Sequence, residues 1–112
     1  MVKVLVKKLD SRVKMPEYKT DGSSGMDLKA FLENSIKILP NNLKLIPTGL
    51  SIAIPENLEI QIRPRSGLAA KSNIGILNTP GTIDSDYRGE LKIILFNHGN
   101  KDFIVNNNDR VA

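Results

Sequence analysis

The sequence predicts an all-β domain of the sandwich, jelly-roll or barrel kind. Three observations carry that prediction. Short apolar stretches recur roughly every eight to twelve residues. Clusters of Gly, Pro and Asn separate them. No long window shows the period of about 3.6 residues that an amphipathic helix needs. With 112 residues the chain is long enough for one domain, residues 1–112, and too short for two.

Val2–Leu9 alternates Val2, Val4 and Val6 with lysine and leucine, which predicts a strand with one buried face. Ser35–Leu39 and Lys44–Ile46 read as a second strand pair, with Pro40-Asn41-Asn42 as the turn between them. Pro47-Thr48-Gly49 leads into a strand at Leu50–Ile54. Leu58–Arg63 is a clean two-residue alternation. Leu91–Phe96 is more continuously apolar, the pattern of a strand covered on both faces. Asn97–Asn100 makes the next turn, before Phe103–Val105. The one plausible helical turn is Gly67–Ser72, where Leu68, Ala69, Ala70 and Lys71 are good helix formers and Ser66 stands where an N-cap would. Asn108–Ala112 reads as a strand just beginning.

Composition narrows the function. No cysteine is present, so disulfides and thiolate metal sites are excluded, and His98, the only histidine, cannot build a zinc site alone. No stretch approaches the ~20 apolar residues of a membrane span, and Met1–Val6 lacks the unbroken apolar run of a signal peptide. A cytoplasmic protein is expected, without a membrane partner. The net charge of +4 suits an anionic ligand. The basic residues are scattered and aromatics make up only 4% of the chain, which argues against stable nucleic-acid binding.

Three polar, glycine-marked segments interrupt the strands. In Gly25-Met26-Asp27-Leu28, a buried Asp27 must be ion-paired or hold a cation, because an isolated carboxylate is costly to bury. The segment also reads as a turn feeding a strand. Pro64–Lys71 is a tight loop opening a helical turn, where free N–H groups and the fork of Arg65 favour a phosphate. An ordinary helix cap gives the same pattern. Asn78–Gly89 lies between two strands and could close a hairpin. Asp84 and Asp86, two residues apart, would face one side of an extended chain and raise each other's pKa, as suits a base. A solvated acidic turn is the alternative.

Together, in this order and spacing, the segments resemble the motifs of the trimeric dUTP pyrophosphatase (dUTPase) family. Gly25–Leu28 resembles its first motif, Arg65–Lys71 the second, Gly81–Gly89 the third and Asn108–Ala112 the start of the fourth. Pro47-Thr48-Gly49-Leu50 is also similar to a segment that family members tend to carry. The resemblance implies a jelly-roll-like β-sandwich assembled as a homotrimer with shared active sites. It also implies magnesium-assisted hydrolysis of dUTP to dUMP and pyrophosphate. Asp84 matches the carboxylate that orients and deprotonates the attacking water. Arg65, Ser66 and Gly67 match phosphate-binding residues, with Ser66 near the leaving pyrophosphate. Asn78, Thr82, Ile83 and Lys92 match positions that contact the nucleoside, several through the backbone. Tyr87 matches the residue whose ring lies against deoxyribose, where a ribose hydroxyl would clash. Asp27 matches a residue that reaches Mg2+ through water.

The fourth motif normally continues into a glutamine and a further strand, and a glycine-rich arm follows. These lie outside the 112 residues, so the expectation is a native chain that runs past Ala112. Three rivals stand beside this reading. The related dCTP deaminases need a glutamate after the hairpin aromatic, and Arg88 occupies that place. A nucleotide-binding module without turnover would share the motifs. A generic adhesion or carbohydrate-binding sandwich would have no reason to carry the phosphate loop.

Overall fold

A computed structural model describes residues 1–112. Nine strands and one helix follow along the chain: β1 (Leu5–Lys8), β2 (Ile36–Ile38), β3 (Leu43–Pro47), β4 (Leu50–Ala53), β5 (Ile60–Ile62), α1 (Ser66–Ser72), β6 (Ile74–Ile76), β7 (Gly81–Ile83), β8 (Lys92–Asn97) and β9 (Phe103–Val105). The all-β prediction holds. All pairings are antiparallel: β1 with β4, β2 with β9, β5 with β7, and β8 between β3 and β6. No strand pairs with the one next to it in sequence.

That topology corrects one expectation. β2 and β3 do not pair with each other, although a turn joins them. Asn41 adopts a left-handed φ of 60°, and its N–H donates to the Asn97 carbonyl at 2.8 Å. The turn therefore docks on the end of β8. The buried side chain of Asn97 completes the junction by donating to the carbonyls of Ile38 (2.9 Å) and Lys101 (2.8 Å). A buried amide must be satisfied in this way, because leaving it unpaired costs about 1–3 kcal/mol.

Fourteen buried hydrophobic residues form one cluster. Ile38, Ile46, Ile74, Leu91, Ile93, Leu95, Val105 and Val111 are almost wholly removed from solvent, each contributing about 1.5–3 kcal/mol before entropy is counted. The buried residues number only 19 of 112, so much apolar surface stays outside. In β8, Ile93, Leu95 and Asn97 face the core, while Ile94 and Phe96 are only half-buried. The strands opposite them, at Leu45 and Leu43, are exposed. Within one chain β8 is covered on one face, not both. Val2 and Val4 are likewise exposed, and only Val6 of that predicted face is partly buried, opposite Ile52.

The last residues do begin a strand-like pairing. Leu28 and Ala30 exchange backbone hydrogen bonds with Asn108–Ala112 at 2.8–3.0 Å, with Lys29 bridging to Arg110. Arg12 joins Asp10 and Glu33 at 2.9 Å each and lies over Phe31. Hydrogen bonding from Arg12 holds the Asp10 carboxyl down at about 2.

Candidate active site

Two groups of the expected residues come together, in two different places. The first is built where the Leu28–Ala30 segment, β5 and the start of α1 converge. Asp27 and Arg65 stand 3.3 Å apart through Oδ1 and Nε, and the second carboxylate oxygen faces Arg110 Nη1 at 3.6 Å. Asp27 is half-buried rather than buried, and of the two fates expected for it the chain itself supplies the ion pair. Arg65 thereby presents a fixed guanidinium at a helix entry. It is Arg65, with an extended backbone (φ −84°, ψ 128°), that occupies the cap position, and it makes no side-chain cap. Ser66 is the first residue of α1 and does not cap it, which leaves its hydroxyl at the surface. Asn73 closes the helix in the left-handed conformation, at φ 57°, where asparagine is tolerated.

Asp27, Arg65 and Ser66 line a cleft of about 670 Å³ whose wall includes Val6, Ile52, Ile60 and Ile62. Asp27 is its sole acid, and no cluster of three His, Asp or Glu side chains forms anywhere in the chain. A cation here must therefore take most of its ligands from elsewhere. Magnesium, which keeps water and phosphate oxygens around it, fits that donor set, with Asp27 available through an intervening water.

The second group is carried by β7 and the loop after it. β6 and β8 are antiparallel neighbours, as a hairpin reading requires, but β7 is set into their connection and pairs with β5. Thr82 lies opposite Gln61 and Ile83 opposite Ile60. The Asn78 side chain folds against Gly81, whose added Cβ would lie 3.3 Å from Asn78 Nδ2. Lys92 opens β8, exposed, opposite Pro47.

Past Ile83 the chain turns. The Tyr87 N–H donates to the Asp84 carbonyl at 3.1 Å, so Asp84–Tyr87 is a four-residue turn with Asp84 and Asp86 both exposed. The expectation of two acids on one side of an extended strand fails on this geometry. Asp84 stands alone at the end of β7. Tyr87 folds back so that its hydroxyl donates to the Glu90 carbonyl at 2.9 Å. Its ring lies on Gly89, where a Cβ would come within 2.5 Å of the hydroxyl. Tyr87 stays 43% exposed, an anchored aromatic side chain with part of its surface open to solvent.

The loop is fastened to the Thr48–Ser51 corner, which explains the work of Pro47-Thr48-Gly49-Leu50. Thr48 Oγ1 donates to the Leu91 carbonyl at 2.6 Å and Ser51 Oγ to the Arg88 carbonyl at 2.7 Å. The Gly49 N–H donates to Glu90 Oε2 at 2.9 Å. Ser51, Glu90 and Arg110 were not singled out by sequence reasoning. Ser51 and Glu90 act through partners some forty positions away, and only the presence of Arg110 in the fourth segment hinted at its use.

No residue from Asn78 to Glu90 lines the cleft that holds Asp27, Arg65 and Ser66. The two groups of expected residues therefore do not share that cavity.

The fold is that of solved phage dUTPases. A mutant dUTPase from phage phi11 of S. aureus, described as coordinating a structural Mg(II) ion, superposes with a TM-score of 0.88 at 21% identity, covering 98% of this chain and 86% of that one. A Staphylococcus bacteriophage 80alpha dUTPase mutant with dUpNHpp does so with a TM-score of 0.88 at 20% identity, with the same coverage. In sequence, the deoxyuridine 5'-triphosphate nucleotidohydrolase of Treponema denticola is 56% identical over 105 residues, covering 94% of this chain and 73% of its own length. That of Rickettsia prowazekii is 54% identical over 113 residues, covering 100% and 76%. The family model for dUTPase matches residues 11–112. The chain belongs to the dUTPase family.

Proposed function

We propose that this chain hydrolyses dUTP to dUMP and pyrophosphate, with the two halves of each site brought together by association of three copies. The observation that carries the reading is the Asp84–Glu90 loop. It holds an exposed carboxylate and an anchored aromatic wall in fixed relation, beside a strand whose backbone is free to read a base edge.

β7 and its flanks take the nucleoside. Backbone groups of Thr82 and Ile83, with Asn78 and Lys92, hold the uracil, and a cytosine in the same place leaves donors and acceptors unpaired at about 1–3 kcal/mol each. The open surface of Tyr87 lies against the deoxyribose and excludes a 2′-hydroxyl. Arg65, Ser66 and Gly67 hold the phosphates, and the Asp27 pair keeps Arg65 from swinging away. Asp84 takes a proton from water as the water oxygen bonds to the α-phosphorus. The bond from that phosphorus to the bridging oxygen breaks, and Ser66 donates toward the charge developing on pyrophosphate. Asp27 would face a bound magnesium through water, and that ion would supply charge neutralisation for the phosphates.

Association is supported by what one chain leaves uncovered. Leu43, Leu45 and Ile104 are exposed on strand faces, and the outer face of β8 runs from Lys92 of the nucleoside half through Ile94 to Phe96. A second copy against such surfaces would bury apolar area and set one chain's β7 loop over another's Arg65 cleft.

The test is product analysis with dUTP, dCTP and UTP and added magnesium. The reading requires dUMP and pyrophosphate in equal amounts from dUTP, with UTP and dCTP much slower. Conversion of dCTP to dUTP would identify a deaminase. Tight dUTP binding with no product would identify a binding module.

A further inference from the structure

We propose that Arg88 is a positioning residue for this reaction, setting the distance between Asp84 and Tyr87 through the backbone they share; the inference rests on the dUTPase reading above. Its Nη1 donates to the Ser85 carbonyl at 2.6 Å and to the Tyr87 carbonyl at 3.1 Å. One charged group thus bridges two carbonyls on either side of the turn apex, and the Arg88 carbonyl is itself tied to the core corner by Ser51 Oγ at 2.7 Å. The guanidinium forms no ion pair with Asp84 and no cation–π contact with the Tyr87 ring.

The geometry gives this clamp a purpose that fold stability does not. Asp84–Tyr87 is a surface turn, with Ser85 half-buried and no buried apolar side chain, so packing alone does not fix its shape. Without Arg88 its backbone keeps one i to i+3 hydrogen bond, from Tyr87 to Asp84, and the Tyr87 hydroxyl bond to the Glu90 carbonyl holds the ring rather than the Ser85–Asp86 apex. Charge-assisted hydrogen bonds to carbonyls are the stronger kind, and two of them from one planar group lock both peptide planes. Asp84 must meet a water and Tyr87 a sugar on the same nucleotide. A displacement of about 1 Å at a site like this costs on the order of a hundredfold in rate.

The experiment compares the full chain with Arg88→Ala and Arg88→Lys. Arg88→Ala is expected to lower kcat for dUTP about tenfold or more and to shrink the ratio of kcat/KM for dUTP over UTP in parallel, because one turn carries both groups. Its Tm should move by less than about 4 °C, the shift of a small stability change in a domain this size. Arg88→Lys, which keeps a charged donor for one carbonyl, should recover part of both losses. Wild-type kcat and an unchanged dUTP-to-UTP ratio in Arg88→Ala would overturn the proposal while leaving the dUTPase reading intact. So would a rate loss matched by a collapse in Tm, with no recovery in Arg88→Lys. A wild-type chain inert toward dUTP would strike the functional reading itself and this inference with it.

Discussion

In the proposed reaction, Asp84 is the residue on which the chemistry turns. It ends β7 with its carboxylate exposed and its carbonyl accepting from Tyr87 at 3.1 Å, so the side chain is free while the backbone is held. Replacing it with asparagine keeps the shape and removes the proton acceptor. Asp84→Asn should lower turnover by about 10²–10⁴-fold, the worth of general base catalysis, while a non-hydrolysable dUTP analogue binds as before in calorimetry. A variant that retains more than about a tenth of the wild-type rate would move the base elsewhere. Asp84 and Tyr87 were legible because their place in the third motif announces them. The pairing of Asp27 with Arg65 and Arg110 was not, since nothing in a linear sequence says which charges meet. Nor was the loss of the Asp84–Asp86 pairing. Two acids two residues apart look alike on a strand and in a turn, and the Tyr87-to-Asp84 hydrogen bond decides between them.

At the scale of elements, strands were easier to read than their partners. The alternation in Leu58–Arg63 and the turn residues around it locate β5 well, and Ala-rich Gly67–Ser72 locates α1 to within a residue. Of the pairings only β6 with β8 was readable, as the hairpin around Asn78–Gly89; the other ladders skip over intervening chain and are chosen by long-range packing. Gly49 shows how local chemistry feeds that packing. It sits at φ +70°, and a Cβ there would lie 2.5 Å from Val13 Cγ2. Its N–H holds Glu90 and its carbonyl accepts from Leu9 at 2.8 Å. Gly49→Ala combines left-handed strain with a clash in the core, each costing about 1–3 kcal/mol. Urea unfolding should show the midpoint falling by the equivalent of about 2–4 kcal/mol. A midpoint within error of wild type would mean that the Val13 segment moves aside freely.

For the whole molecule, the separation of the two halves is the feature with most consequence. The apolar pattern of Leu91–Phe96 predicted a strand covered on both faces, yet one chain covers only the inner face. In the proposed assembly, association would supply the missing cover and the missing half-site together. Subunit mixing tests this: Arg65→Ala damages the phosphate half and Asp84→Asn the nucleoside half. Trimers exchanged between the two variants should regain activity that neither has alone, because some sites then draw both intact halves from different chains. Exchange without recovery would place each complete site within one chain. The central claim, that water guided by Asp84 attacks the α-phosphorus of dUTP, is tested most directly by turnover in water enriched with oxygen-18. The account predicts one labelled oxygen in the phosphate of dUMP and none in pyrophosphate. Label in the pyrophosphate, or no dUMP formed at all, would contradict it.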